Sequence, residues 1–341
     1  KGWYYNNTKV DSTTKVTKAS DQVLIALWEA NKYTLTFVYN NGSTDTTKEV
    51  IYGKTYGELP IPTKTGYIFN GWTTSGGNLI NETDKVTITS DTTLYAQYSV
   101  DSYLVTFNAN GGTVSIPTKN VKYDNAYGTL PTPVRVGYTF TGWYYNNTKI
   151  EETTIVSITS NHTLIAKWKA NTYKVTLVYN NGTTNEEKEI TYDSEYGVLP
   201  TPVKEGYTFL GWYTTGGINV DSTTILKNAK DHTLNAQWKA NTYIITFIFG
   251  NGENNVTKEV IFDSEYGELQ TPTRVGYTFK GWYTQNTGGT KIDSTTIVKI
   301  ASNHNLYARW EANKYIVTFN GEKFDNGTRI SFNPVTNEVC S

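Results

Sequence analysis

Three histidines are the residues whose types most readily suggest a metal or acid–base site. His162, His232 and His304 are the only histidines of the chain, and imidazole is a common zinc ligand. Each follows Asn or Asp just before a recurring apolar segment, and each stands in a different stretch of about 70 residues. Groups in separate small domains lie more than about 20 Å apart. The pattern therefore favours solvated turns, and no bound metal is expected.

Carboxylates recur in an Asp-Ser-Thr-Thr segment at residues 221–224 and 293–296. These segments lack the closely alternating carboxylates of a calcium loop, so turn or capping hydrogen bonds are the favoured role of the aspartate. They could cap a short helix, but β-branched residues running into Ile225 and Ile297 favour the start of a strand. Glycoside hydrolysis needs two carboxylates that can be distant in the chain. No stretch carries polar residues that its counterparts lack, so neither an enzyme nor a cofactor is expected.

Tyrosines that follow a recurring Gly-Trp pair are the best candidates for ligand contacts. They are Tyr4, Tyr5, Tyr144, Tyr145, Tyr213 and Tyr283. We place them in a surface loop of variable length, where a tyrosine ring offers contact area to sugars or proteins at small entropic cost. The alternative is packing of the rings against their own domain. The sequence thus leaves two functions open, a repeated ligand site at this loop and a spacer without a ligand, of which we favour the spacer.

Composition excludes several classes of function. Thirty basic and 31 acidic residues leave a net charge of −1, so the chain has no basic excess for nucleic acid. No apolar run approaches the roughly 20 residues of a membrane span, and no signal segment follows Lys1, so membrane insertion is not expected and the chain is either a mature secreted form or an excised piece. Cys340 is the only cysteine, which rules out an intrachain disulfide and a thiolate metal cage.

One seven-residue pattern, Gly-Tyr-x-Phe-x-Gly-Trp, organises the chain. It occupies residues 66–72 and returns at 137–143, 206–212 and 276–282, while its last two residues open the chain as Gly2-Trp3. A fixed period overrides length as a guide to domain size. The predicted division is a back half of a repeat at 1–32, repeat 1 at 33–102, repeat 2 at 103–172, repeat 3 at 173–242, repeat 4 at 243–314 and a front hairpin at 315–341.

Each repeat is predicted to consist almost entirely of strands. Tyr33, Leu35 and Phe37 alternate with polar residues, and an Asn-Asn-Gly turn leads to a return strand. Prolines at every second position then predict an extended crossing, with at most one helical turn at Tyr56-Gly57. Tyr67 and Phe69 share one face of the next strand; a bulge at the following glycine would bring Trp72 to that face. The closing strand places Leu, Ala and an aromatic on one face.

The linkers between repeats are four residues long and contain no Gly/Ser tract. Short linkers of this composition limit interdomain motion. The fold class predicted from the residues is therefore β-rich, α+β at most, with repeats in a semi-rigid rod.

Three separated motifs resemble the Listeria–Bacteroides repeat family, whose members include the B repeat of internalin B. They are Tyr-x-Val-Thr-Phe at residues 103–107, Gly-Tyr-Thr-Phe-x-Gly-Trp-Tyr at 276–283 and Leu-Tyr-Ala-x-Trp at 306–310. The resemblance covers about residues 1–320 and implies small β-grasp-like modules in tandem on bacterial surface proteins, commonly adhesins, without catalysis. Tyr98 stands where the closing Trp is expected, Thr73 stands for the Tyr after Trp72, and the later motifs are missing after Asn320.

We therefore expect a non-enzymatic extracellular protein of the bacterial cell surface, acting as a stalk or structural part of an adhesin or fibre. The alternative is a repeated module that binds a glycan or a host or cell-surface protein. Residues 1–32 supply back strands, whereas Tyr315, Val317, Phe319, Ile330 and Phe332 match the inward positions of a front hairpin. Another copy of the chain is thus a candidate partner, joined head-to-tail by strand addition, although a window on a longer array is the preferred explanation of the cut ends.

Overall fold

In the computed structural model, the described residues are 1–316, 331–332 and 339–340. Within these residues the regular secondary structure is entirely β-strand. The chain forms two compact units. The first comprises Lys1–Tyr173 with Thr191–Asp193 and Lys227–Lys230, and the second comprises Lys174–Ile190, Ser194–Leu226 and the described residues from Asp231 onward. The predicted β-rich tandem array of small sheets is confirmed.

The N-terminal segment forms a three-stranded antiparallel sheet in the order β2-β1-β3. Its strands are β1 (Gly2–Tyr5), β2 (Thr8–Val10) and β3 (Ile25–Leu27). Trp3 is 56 % exposed, whereas its counterpart Trp143 in repeat 2 is 1 % exposed. In repeat 2 the ring of Trp143 packs against Phe107 of the front hairpin, and among the described residues the N-terminal sheet contains only its three strands.

Repeat 1 shows the plan of all four complete repeats. Its strands are β4 (Lys32–Val38), β5 (Thr46–Ile51), β6 (Tyr67–Thr74), β7 (Leu79–Ile80) and β8 (Thr92–Val100). They form one sheet in the order β5-β4-β8-β6-β7. The first and last long strands, β4 and β8, are parallel neighbours at the centre, and the other pairs are antiparallel. This strand order is the β-grasp-like arrangement, with an extended segment in place of a crossover helix.

The other repeats follow the same order of strands. Repeat 2 contains β9 (Ser102–Asn108), β10 (Thr118–Lys122), β11 (Tyr138–Tyr145), β12 (Thr148–Ile150) and β13 (His162–Ala170). Repeat 3 contains β14 (Thr172–Val178), β15 (Glu186–Thr191), β16 (Tyr207–Thr214), β17 (Asn219–Val220) and β18 (His232–Ala240). Repeat 4 contains β19 (Thr242–Ile248), β20 (Val256–Ile261), β21 (Tyr277–Tyr283), β22 (Lys291–Ile292) and β23 (His304–Ala312).

The bulge predicted at the second glycine of the Gly-Trp pattern is confirmed. The register of β6 against β8 shifts between Phe69 and Gly71, and Gly71 has φ +123°. The extra residue moves Trp72 to the buried face, where it is 1 % exposed. Its ring packs edge-on against Phe37, with ring centroids 4.8 Å apart. The recurring tryptophan is therefore the centre of each core.

The predicted hairpin and extended crossing are also confirmed. Asn40 (φ +52°) and Gly42 (φ +89°) form the left-handed part of the hairpin turn. After β5, the crossing buries Tyr56 and Leu59 beneath the sheet. Gly57 has φ +66°, so the helical turn allowed at this point does not form.

The proline-rich crossing is tied to the tryptophan by one hydrogen bond in every complete repeat. Trp72 Nε1 donates to the carbonyl oxygen of Pro60 at 2.8 Å. In repeat 4, where a glutamine replaces the proline, Trp282 Nε1 donates to the carbonyl oxygen of Gln270 at 2.7 Å. The bond uses the backbone oxygen, and this explains why the substitution leaves the core unchanged.

Tyr98, which replaces the closing tryptophan in repeat 1, makes the same hydrogen bond as the residue it replaces. Its hydroxyl donates to the carbonyl oxygen of Tyr39 at 2.9 Å, and Trp238 Nε1 donates to the equivalent oxygen of Tyr179 at 2.8 Å. Both rings pack against the phenylalanine of the Gly-Trp strand. The departure from the family pattern therefore leaves the fold intact.

This equivalence predicts the outcome of exchanging the two side chains. Trp238→Tyr is expected to lower the free energy of unfolding by less than about 1.5 kcal/mol, because Tyr98 in repeat 1 makes the same hydrogen bond with a smaller ring. Trp238→Phe leaves the carbonyl of Tyr179 without its donor and is expected to cost more. Denaturant unfolding followed by tryptophan fluorescence compares the two, and an equal loss would show that the hydrogen bond contributes nothing.

The predicted fifth hairpin falls mostly outside the described residues, which exclude Val317, Phe319 and Ile330. Tyr315 and Ile316 belong to no strand. Two short strands, β24 (Ser331–Phe332) and β25 (Val339–Cys340), pair antiparallel with each other.

Candidate functional site

The candidate tyrosines lie on strands and are half-buried, so their predicted placement in exposed loops is wrong. Tyr4 and Tyr5 belong to β1, Tyr144 and Tyr145 to β11, Tyr213 to β16 and Tyr283 to β21. The strand continues past the tryptophan because the bulge keeps it paired with the closing strand. The variable loop begins only after these tyrosines, and its residues are exposed.

Two of these tyrosines are covered by cations of the closing strand. Lys167 Nζ lies 4.2 Å from the ring centroid of Tyr144, and the Arg309 guanidinium carbon lies 4.0 Å from that of Tyr283. Each contact is a cation–π interaction on the outer face of the sheet. A ring face that already carries a cation is less available for stacking on a sugar.

Tyr145 faces the opposite side of the sheet from Tyr144 and packs on the core of repeat 2. Its ring centroid is 5.4 Å from that of His162. Tyr5, at the same position in the N-terminal segment, accepts a hydrogen bond from Lys18 Nζ at 3.1 Å. For Tyr145 the alternative of packing against its own repeat is therefore the correct one.

The histidines are not in solvated turns, which corrects the sequence-based expectation. His162 is 7 % exposed, and its Nε2 lies 2.7 Å from the Tyr127 hydroxyl. The same contact joins His232 to Tyr196 at 2.6 Å and His304 to Tyr266 at 2.7 Å. Each histidine is the first residue of its closing strand, and burial raises the pKa of the tyrosine partner. The histidines thus fix the crossing to the sheet.

The Asp-Ser-Thr-Thr segments form turns, and the strand expected there is wrong. Asp221 Oδ1 accepts hydrogen bonds from the backbone and hydroxyl groups of Thr223 and Thr224, at 2.9–3.0 Å. These bonds, led by that of Thr224, lower the pKa of Asp221. Ile225 makes only an isolated bridge, to Glu195. The aspartate's bonds therefore outweigh the strand propensity of the β-branched residues, and its predicted role in a turn is confirmed.

A lysine that sequence reasoning missed holds the crossing in place. Lys188, on β15, directs its ammonium group inward, where it donates to the carbonyl oxygens of Tyr196 and Val198, both at 2.8 Å. Lys119 and Lys258 make the same pair of bonds in repeats 2 and 4. The sequence contains a pattern that could have indicated this lysine: a lysine recurs two residues before the inward Val or Ile of every return strand.

A cleft of about 540 Å³ in the first unit collects several charged side chains. Asp193 lies in it, but both carboxylate oxygens have partners: Tyr138 donates to Oδ2 at 2.6 Å, and Lys227 contacts Oδ1. Across the described residues, no three His, Cys, Asp or Glu side chains converge in a way that could hold a metal ion. The carboxylate at this cleft is therefore paired with side chains of the same unit.

The variable loop is closed by a threonine in repeats 1, 3 and 4. In repeat 3, Thr214 N donates to the carbonyl of Ile218, four residues on, at 2.9 Å. In repeat 4 the corresponding bond joins Thr284 N to the carbonyl of Thr290, six residues on, at 3.0 Å. The longer loop also receives a hydrogen bond from Arg309 at the carbonyl of Gly288.

Deleting Gly288 and Gly289 is expected to leave repeat 4 folded, with a change in unfolding free energy below about 1 kcal/mol. The deletion restores the four-residue spacing between the closing groups that repeat 3 uses, at the loss of one exposed arginine contact. Calorimetry of the full chain measures the change. Loss of the repeat 4 transition would show that the loop is structural.

Comparison with known proteins identifies the family. The model of the Listeria-Bacteroides repeat domain matches residues 33–97, 103–167, 173–237 and 243–309. The chain belongs to this family.

Three relatives are similar to the chain. A "Putative Gly-rich membrane protein" of Evansella cellulosilytica is 32 % identical over 335 residues, covering 92 % of this chain and 37 % of the relative. A "Putative membrane protein" of the same organism is 32 % identical over 308 residues, covering 85 % and 45 %. "Internalin H" of Listeria monocytogenes is 45 % identical over 114 residues, covering 33 % and 20 %. The chain thus spans less than half the length of each relative. No helix of the described residues is long and apolar enough to cross a membrane.

Proposed function

We propose that the chain is a non-catalytic spacer of the bacterial cell surface, which holds another part of a longer surface protein away from the cell. One observation carries this proposal: the tryptophan, lysine and histidine side chains that recur from repeat to repeat make their contacts within their own repeat. Trp212, Lys188 and His232 each bind the crossing or the core of their own repeat. What varies is the exposed loop. A chain built from copies of a self-contained module changes its length without changing its chemistry, as a spacer requires.

The comparisons support the coarser part of this proposal. The relatives are named as membrane proteins or as an internalin, which agrees with an extracellular position at the cell surface. The role as a stalk of an adhesin or fibre is our inference from the family and from the repeated module. Assembly with other copies through residues 1–32 and 315–341 remains a proposal, and sedimentation of the intact chain over a range of concentrations tests it.

The second candidate is a repeated ligand site on the outer face of the sheet, next to the loop. Tyr213 favours it, because this tyrosine is half-buried and the cation–π contacts found among the described residues cover Tyr144 and Tyr283 but not Tyr213. Several weak sites in one chain would bind a surface glycan or protein by avidity.

A binding assay separates the two functions. The purified full chain is applied to a glycan array and to host cells, beside Tyr144→Ala, Tyr213→Ala and Tyr283→Ala variants and a triple variant. The spacer role predicts no saturable binding by any of them. Saturable binding by the unaltered chain that falls stepwise with each substitution would contradict the spacer and support the ligand site.

A further inference from the structure

A glycine that opens the Gly-Trp pattern has no room for a side chain, because an aromatic ring of the following repeat covers it. Gly66 lies against the ring of Tyr123, and Gly206 lies against that of Phe262. A Cβ atom at either glycine would overlap ring carbons of the next repeat. Both glycines have φ +78°, so glycine is required here for its conformation and also for the close approach.

The backbone continues the same contact through the linker. Asn241 N donates to the carbonyl of Gly206 at 2.9 Å, and the carbonyl of Asn241 accepts from Phe262 N at 2.9 Å. Asp101 makes the equivalent pair of bonds between Gly66 and Tyr123, each 3.0 Å long. The four-residue linker predicted from the sequence is in fact one residue, because the closing strands extend to Ala240 and Val100 and the next strands begin at Thr242 and Ser102. This one residue bonds to the repeat before it and to the repeat after it. A flexible linker would leave both the glycine carbonyl and the amide of the covering aromatic without these partners.

A carboxylate of the following repeat also bonds to the tyrosine next to this glycine. The Tyr207 hydroxyl donates to Asp263 Oδ2 at 2.7 Å, and Lys299 pairs with Oδ1 of the same carboxylate. Lys299, followed by Tyr207, lowers the pKa of Asp263. Within the first unit, Tyr138, Asp193 and Lys227 form the same group. The contact of Tyr67 with Asp124 is longer, at 3.4 Å.

The exposure of the covering ring depends on the repeat before it. Phe262, on Gly206, is 8 % exposed, whereas Tyr52, at the same position in repeat 1, is 48 % exposed. Among the described residues, no glycine of the Gly-Trp pattern lies beneath Tyr52. Tyr123 and Tyr192, which cover Gly66 and Gly137, are partly buried, so the covering ring is less exposed wherever a glycine of the pattern lies beneath it.

From this geometry we propose that the Gly-Tyr edge of repeat 1 is a docking surface for the aromatic that follows the second hairpin strand of repeat 2, and that the same edge of repeat 3 is a docking surface for repeat 4. Within each unit, the contact holds the two repeats in one orientation. The partner of this surface is the following repeat of the same chain. The inference goes beyond the spacer role, because it concerns how neighbouring repeats recognise each other and holds whatever the chain displays.

Amide hydrogen exchange of the full chain tests this docking surface. Gly206→Ala is compared with Gly217→Ala, its matched control in the same repeat: Gly217 has φ +80°, and a Cβ there meets no described atom within 4 Å. Both variants bear the same backbone strain. Gly206→Ala is expected to speed exchange at the amides of residues 241 and 262 about tenfold or more, and Gly217→Ala less than about twofold.

A double-mutant cycle isolates the ring contact. In a Phe262→Ala background the added methyl group meets no ring, so Gly206→Ala is expected to change exchange at residue 241 no more than Gly217→Ala does. If Gly206→Ala alone fails to fold, the double variant is expected to fold. Equal effects of the two glycine substitutions, or an undiminished effect of Gly206→Ala in the Phe262→Ala background, would overturn the proposal. None of these outcomes depends on what the array binds or displays.

Discussion

Trp212→Ala is expected to lower the free energy of unfolding of repeat 3 by about 3–5 kcal/mol, the largest effect of any substitution considered for this chain. Trp212 is 2 % exposed, and its ring packs edge-on against Phe209 and Tyr179. Truncation leaves a cavity at the centre of the core and removes the donor to the carbonyl of Pro200. A repeat of about 70 residues has a small core, so burial elsewhere does not offset the loss.

Calorimetry or denaturant unfolding of the full chain measures this loss. Trp3→Ala is the matched control, because Trp3 occupies the same position of the pattern but is 56 % exposed. It is expected to change stability by less than about 1 kcal/mol. A similar loss in the two variants would mean that burial of the recurring tryptophan does not determine the stability of the repeat.

Lys188→Met is expected to destabilise repeat 3 by about 1.5–3 kcal/mol, the range for hydrogen bonds to a charged group. Methionine keeps the apolar stem but cannot donate to the carbonyl oxygens of Tyr196 and Val198. These oxygens flank Gly197, which has φ +66°. The crossing bends around the ammonium group of Lys188. Removing that group therefore leaves the two carbonyl oxygens without a donor.

Lys174→Met in the same repeat is the control for removing a positive charge. Lys174 pairs with Glu187 at 3.0 Å on the surface, with both side chains about half exposed. Exposed pairs of this kind contribute about 0–1 kcal/mol. Denaturant unfolding of the two variants separates internal bonding from net charge, and equal losses would show that the internal position of Lys188 has no special effect.

The strands, the hairpin and the bulge were predictable because each depends on local pattern. Alternation placed Leu35 and Phe37 inside, and the parity change at Gly71 required an extra residue to bury Trp72. Both inferences use residues that are close in sequence. Because the pattern occurs four times, each prediction for one repeat could be compared with the same positions in the other repeats.

What could not be predicted depends on partners that are distant in sequence. His162 is buried because it meets Tyr127, 35 residues earlier, and nothing in its own neighbourhood indicates that contact. The Asp221 turn was misjudged for a different reason. Strand propensity of β-branched residues is weak beside several hydrogen bonds to one carboxylate. Tyr144 was placed in a loop because the recurring pattern ends at the tryptophan. In the structure the strand continues beyond Trp143, since the residues after the bulge stay paired with the closing strand.

The parallel pairing of β4 with β8 decides how a repeat bears tension. These are the first and last long strands of repeat 1, and the ladder between them runs from the pair Leu35 and Thr92 to the pair Val38 and Tyr95. When the chain is pulled at both ends, two parallel neighbours are drawn in opposite directions along their own axes. Their hydrogen bonds are then loaded together in shear, whereas a hairpin pulled at its open end unzips one bond at a time. Mechanical load on a repeat is therefore met by the whole central ladder at once.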